Sequence, residues 1–151
     1  FFTIGCKSKE GAFVRDGKLV LNQTITVEEA FNRYPALAGP LAWREFKPEG
    51  SPRHVEVLAQ IDMKKYNDLC SEDPRYQANK DKVSAVNATF EFQSEPDDMI
   101  RFFDSRIVVQ YKNGTRGVLE DDSPKYIKNI YSRTAFGMGD CWDIPSAPPV
   151  K

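Results

Sequence analysis

The feature that most constrains this chain is a strand–turn–strand pattern in its second half, RIVVQYKNGTRGVLE. Two runs rich in β-branched residues flank Asn113-Gly114, and Asn-Gly is the strongest short-range signal for a β-hairpin. The pattern therefore predicts two adjacent antiparallel strands.

Period-two alternation predicts further strands along the chain. LAWREFKPEGSPRHVEVLAQID alternates well enough for two strands joined at PEGSP, and VSAVNATFEFQ for a third. Asp16-Gly17, in GAFVRDGKLVLN, predicts an additional short hairpin, because Asp-Gly supplies the positive φ angles of tight turns.

Two segments carry helix signals instead. Thr26 followed three residues later by Glu29 forms a capping box, and the apolar residues after Thr26 recur at helical spacing. In SPKYIKNIYSR, Ser123 and Pro124 predict the start of a second helix. The polar segment 63–82 predicts a loop-rich region with short helical turns.

Together these elements predict one α+β domain. We expect a mostly antiparallel sheet of five to seven strands with two or three helices on one face, spanning residues 12–144. The length of 151 residues is sufficient for a single buried core. The Pro-rich residues 145–151 are expected to form a flexible tail.

Composition argues against several functions. Basic and acidic side chains number 21 and 22 and are interspersed, so we expect no nucleic-acid partner. No apolar run approaches the roughly 20 residues of a membrane-spanning helix.

The sequence predicts no catalytic, metal or cofactor site. His54 is the only histidine, and strand alternation places it with Glu56 on the exposed face. A hydrolase using His54 or a pair of carboxylates remains an alternative, but the acidic clusters at 95–98 and 120–122 coincide with expected turns.

Three cysteines leave two interpretations open. In an exported protein, Cys70 and Cys141 form a disulfide and Cys6 serves separately; in a reducing compartment, all three are free thiols. We predict the exported arrangement.

The first residues, FFTIGC, resemble the end of a lipoprotein signal, with Ile4 and Gly5 preceding a lipid-modified Cys6. Thr3 stands where such signals usually have leucine. The alternative is that residues 1–4 form a β-strand and that Cys6 lies in the core. KSKEG resembles the polar tether that follows, so residues 1–11 are expected to be a signal remnant and tether. Lys7 provides no acidic inner-membrane retention signal.

GKLVLN, TVEEAFNRY and RHVEVLAQID, following this cysteine, are similar to small exported lipoproteins of Gram-negative bacteria with no assigned function. The resemblance implies a single domain facing the periplasm. With a lipid on Cys6 and Lys7 after it, we expect this domain to be anchored to a membrane, the outer one more than the inner. It transfers no catalytic residue.

The function expected from the sequence is therefore non-enzymatic binding of a protein or cell-envelope component. The aromatic residues considered as contacts for a partner are Trp43, Tyr66, Tyr76 and Trp142. The alternative is a cone-type α+β domain that holds an apolar ligand in a pocket near Phe90 and Tyr111.

Overall fold

The computed structural model describes residues 11–71, 74, 77, 80–94 and 99–133. Residues 1–10, which include Cys6, lie outside this part of the chain, as do Tyr76, Cys141 and Trp142. The predictions made for them, for the tether and for the Pro-rich tail therefore remain predictions.

The described residues form one antiparallel sheet of five strands. The strands are β1 (Ala42–Phe46), β2 (His54–Gln60), β3 (Val83–Ser94), β4 (Ile100–Tyr111) and β5 (Arg116–Asp121). They lie side by side in chain order, each hydrogen-bonded to the next. The sheet confirms the predicted α+β fold.

Four α-helices accompany the sheet in the described residues. They are α1 (Ala12–Arg15), α2 (Val27–Asn32), α3 (Met63–Leu69) and α4 (Lys125–Ser132). A 3-10 turn at Lys80–Lys82 precedes β3. In the part of the chain described, no helix has the length and apolar character needed to cross a membrane.

The core lies between one face of the sheet and buried residues of all four helices. Val55 and Val57 of β2 stand opposite Phe92 and Phe90 of β3, and all four side chains are buried. Phe31 of α2 meets Phe90 edge to face, with ring centroids 5.3 Å apart. Aromatic packing of this kind stabilises the core beyond its buried area.

The capping box predicted for α2 is confirmed. The backbone N–H of Glu29 donates to Thr26 Oγ1 at 3.1 Å, and the Glu29 carboxylate accepts from the Thr26 N–H at 3.2 Å. These bonds satisfy two helix-terminal groups and fix where α2 begins. The predicted apolar face is buried, comprising Val27, Ala30, Phe31 and Tyr34.

The predicted hairpin at Asn113-Gly114 is also confirmed and joins β4 to β5. The Gly114 N–H donates to the Tyr111 carbonyl at 3.1 Å, and the Tyr111 N–H donates to the Thr115 carbonyl at 2.9 Å. Gly114 has φ 88°, a left-handed conformation that glycine adopts without strain. The connection is thus a three-residue loop with glycine last.

The hairpin predicted at Asp16-Gly17 is wrong. Residues 12–15 form α1 instead, and the next segment pairs elsewhere: Leu19 forms a parallel bridge with Ile100, and the Val20 N–H donates to the Ile100 carbonyl at 3.1 Å. Burial explains the difference, because Val14 and Leu19 are both inside the core. Tertiary packing has overridden a local turn signal.

Candidate functional site

No described helix covers the other side of the sheet, and we call this side the outer face. Strand pairing aligns its side chains in rows across the sheet. One row begins at Arg44 of β1 and continues through three carboxylates, which we call the acidic row: Glu56 of β2, Glu91 of β3 and Asp104 of β4.

Like charges directly opposite each other on a sheet are destabilising. Two neighbours offset this repulsion in the acidic row. The Arg44 guanidinium lies 3.3 Å from the Glu56 carboxylate, and His54 Nδ1 lies 2.5 Å from Glu91 Oε2. Glu91 is thus held between a carboxylate on each side and an imidazole.

His54 lies on the outer face with Glu56, as alternation predicts, but its predicted exposure is wrong because only 6% of the residue is accessible. Its ring lies between Phe46, at a centroid distance of 5.4 Å, and Phe103, at 5.0 Å. These two rings exclude water, while Glu91 supplies the hydrogen bond that a buried imidazole requires.

A β-bulge places Phe103 in this cluster. Glu91 pairs with Asp104, whereas the next residue, Phe92, pairs with Phe102, so β4 has one residue more than β3 at this point. Phe103 is that residue, and its ring meets His54 in a T-shaped contact while remaining 48% exposed. Bulges commonly redirect a side chain in this way.

Beside this cluster lies a shallow polar groove with a volume of about 180 Å³, open to solvent. Arg106, at its margin, forms an ion pair of 2.8 Å with Glu120. The groove offers hydrogen-bond acceptors from the acidic row and one guanidinium. Its lining consists of Glu56, Thr89, Glu91, Asp104, Ser105 and Arg106.

In the described ranges, no three or more His, Cys, Asp or Glu side chains are grouped so as to hold a metal ion. The groups that the site presents are carboxylates, a guanidinium and an exposed aromatic ring.

Of the aromatic residues predicted as contacts, Trp43 and Tyr66 are described by the structure, and neither lies on the outer face. Tyr66 is 0% exposed within the core, which overturns its role as a surface contact. Trp43 is half-buried against the core and stands opposite Val57, on the side that bears the helices.

Phe90 and Tyr111 are core residues as well, at 0% and 4% exposure. The grooves lined by described residues include the polar groove, one between Leu19 and α4, and one beside Ile100. None of these three is lined by Phe90 or Tyr111, so the pocket expected near those residues gains no support from them.

The sequence missed Glu91 and Phe103 as site residues. Glu91 lies 37 positions from His54, and only the strand register brings the two together. Phe103 depends on a bulge for which the local sequence provides no turn residue.

Cys70 follows the last residue of α3 and is buried. It is the only cysteine among the described residues, which contain no disulfide. The bridge to Cys141 therefore remains a prediction.

The fold and the site define an α+β domain with helices on one side of its sheet and a polar cluster on the other. Comparison with models of protein families, with curated proteins and with solved structures finds no match to this chain.

Proposed function

We propose that this protein is an exported, lipid-anchored, non-enzymatic domain that binds a protein or envelope component through its outer face. The observation that carries the proposal is the set of exposed apolar side chains around the polar groove. Among the described residues, five large hydrophobic side chains are exposed, and three belong to this face: Leu58, Phe103 and Val118.

Exposed apolar groups beside satisfied polar groups are typical of contact surfaces. Phe103 is suited to be the central contact because its ring is held by His54 at one edge and exposed at the other. A held aromatic ring loses little conformational entropy on binding.

The charge of the groove indicates what the partner presents. The lining holds three carboxylates and one arginine, and that arginine is paired with Glu120. Arg44 and His54 contact two of the carboxylates from outside the lining, and the lining itself carries an acidic excess. We therefore expect the partner to place lysine or arginine side chains opposite the acidic row, next to an apolar contact for Phe103.

Export and anchoring rest on the lipobox-like FFTIGC alone. Intact mass with thiol alkylation, before and after reduction, tests this part of the proposal on protein exported with its native leader. A lipid-sized increment on an N-terminal Cys6, with two cysteines alkylated only after reduction, supports it. Three freely alkylated thiols and an unmodified N-terminus would overturn it.

Photo-crosslinking in the native host envelope tests the outer face. A photoreactive phenylalanine at position 103 should give one adduct of discrete mass, and its yield should fall at high salt. The matched control replaces Leu21, which is 51% exposed but lies beside α4. Equal adducts from both positions, or none from position 103, would refute the proposed face.

A further inference from the structure

β5 is an open edge of the sheet, since in the described residues it pairs with β4 alone. The hydrogen bonds at the hairpin show which backbone groups of β5 are not bonded to β4. The Tyr111 N–H donates to the Thr115 carbonyl, so the Thr115 C=O points towards β4, and the direction of the backbone groups alternates from residue to residue along a strand. Gly117 and Leu119 therefore bond to β4, while the N–H and C=O groups of Arg116, Val118 and Glu120 point away from the sheet.

The sequence of this edge, Arg-Gly-Val-Leu-Glu, is complementary to itself in an antiparallel arrangement. A two-fold axis at Val118 would place Arg116 of each copy opposite Glu120 of the other. The outward backbone groups of the two strands would then face each other in register. Val118, which is 44% exposed, would meet its own counterpart on the outer face.

The side chains are available for this pairing. Arg116 and Glu120 are both exposed. Within the described part of the chain, Arg116 forms no ion pair, whereas Glu120 contacts Arg106 through one carboxylate oxygen, Oε1. The second oxygen of Glu120 can accept from an arginine of a second copy.

The opposite edge is less suited to pairing. β1 has five residues, and Pro40 and Pro48 stand close to its two ends. Short strands and nearby prolines are the devices that protect natural sheet edges. β5 has six residues and no proline, so it lacks the protection against pairing that β1 has.

We propose that two copies of this chain associate through β5 in antiparallel register, centred on Val118. The two sheets would then form one continuous ten-stranded sheet, five strands from each copy. Because a two-fold axis perpendicular to the sheet keeps each face on its own side, both acidic rows would lie on one surface.

Sedimentation of the full chain over a wide concentration range tests the proposal. The weight-average mass should rise from 17.2 kDa towards twice that value. R116E and E120R should each weaken association at least about tenfold, since two opposite-charge pairs become repulsive. Lys47→Glu, a charge reversal directly after β1 on the other edge, is the control and should leave association unchanged.

Mixing the two variants gives the sharpest readout. R116E brings two acids to each strand and E120R brings two bases, so an equimolar mixture should form a heterodimer although each variant alone stays monomeric. Circular dichroism and thermal melting serve as the check that each variant is folded. A wild-type chain that stays monomeric, a mixture that does not associate, or equal sensitivity to K47E would overturn the proposal.

Discussion

The pair formed by His54 and Glu91 leads to a quantitative prediction about stability. Only 7% of the His54 side chain is exposed, against 21% of the Glu91 side chain. Removing the carboxylate with E91A leaves a buried imidazole nitrogen that water cannot reach easily. We expect a loss of about 2 kcal/mol in the free energy of unfolding, the usual cost of orphaning a buried polar group.

The variant H54F separates this hydrogen bond from ring packing, because phenylalanine retains aromatic contact with Phe46 and Phe103. In the H54F background, E91A removes no buried partner and should cost less than about 0.5 kcal/mol. The coupling energy from the double-mutant cycle should therefore be about 1–2 kcal/mol.

Urea denaturation followed by circular dichroism at neutral pH measures all four proteins of this cycle. Glu56→Ala is the matched control, since Glu56 is 31% exposed and pairs with an exposed arginine. Its cost should be at most about 1 kcal/mol and should be the same with and without H54F. A coupling energy near zero for Glu91 would refute the inference that its carboxylate satisfies His54.

Three further predictions concern the scaffold. Thr26→Ala should cost about 1 kcal/mol in urea denaturation. Hydrogen bonds from the Thr26 backbone and side chain lower the pKa of Glu29, so the stabilisation from this carboxylate is present above the unfolded pKa and lost as pH falls through the folded one. Because alanine keeps the backbone bond and removes only the side-chain bond, the variant should make the acid limb of the stability profile less steep without abolishing it. An unchanged acid limb would contradict this. Gly17→Ala should lower stability by about 1–3 kcal/mol, because a Cβ at this position would lie 2.6 Å from the Phe13 carbonyl oxygen. Thermal melting measures the loss, and a melting temperature equal to that of the wild type would refute the close approach. Tyr66→Ala should cost about 3–5 kcal/mol in urea denaturation because the side chain is fully buried. Phe103→Ala should cost less, about 1 kcal/mol, because the ring is half exposed but covers His54. Equal effects would contradict the assignment of one to the core and the other to the surface.

Local signals in the sequence were sufficient where a few neighbouring residues decide the structure. The hairpin at Asn113-Gly114 and the capping box at Thr26 depend on backbone conformation and hydrogen bonds within five residues, and both are present. Asp16-Gly17 carries an equally local signal, yet burial of Val14 and Leu19 determined that region instead.

The candidate site was less predictable for a physical reason. Alternation assigns His54 to the correct face, but it treats every residue on that face as exposed. The burial of His54 comes from Phe46, Glu91 and Phe103 on three other strands. Those contacts require the register of the whole sheet and a bulge in β4, and neither is encoded in a short stretch of sequence.

The order of the strands has a consequence for how the chain folds. Every strand pairs with its neighbour in the sequence, so the sheet can grow by closing one loop at a time, which is entropically inexpensive. The bridge between Leu19 and Ile100 joins segments far apart in the chain. We expect this bridge to form late in folding and to open first during unfolding, so that the N-terminal segment exchanges its amide hydrogens before the strands do.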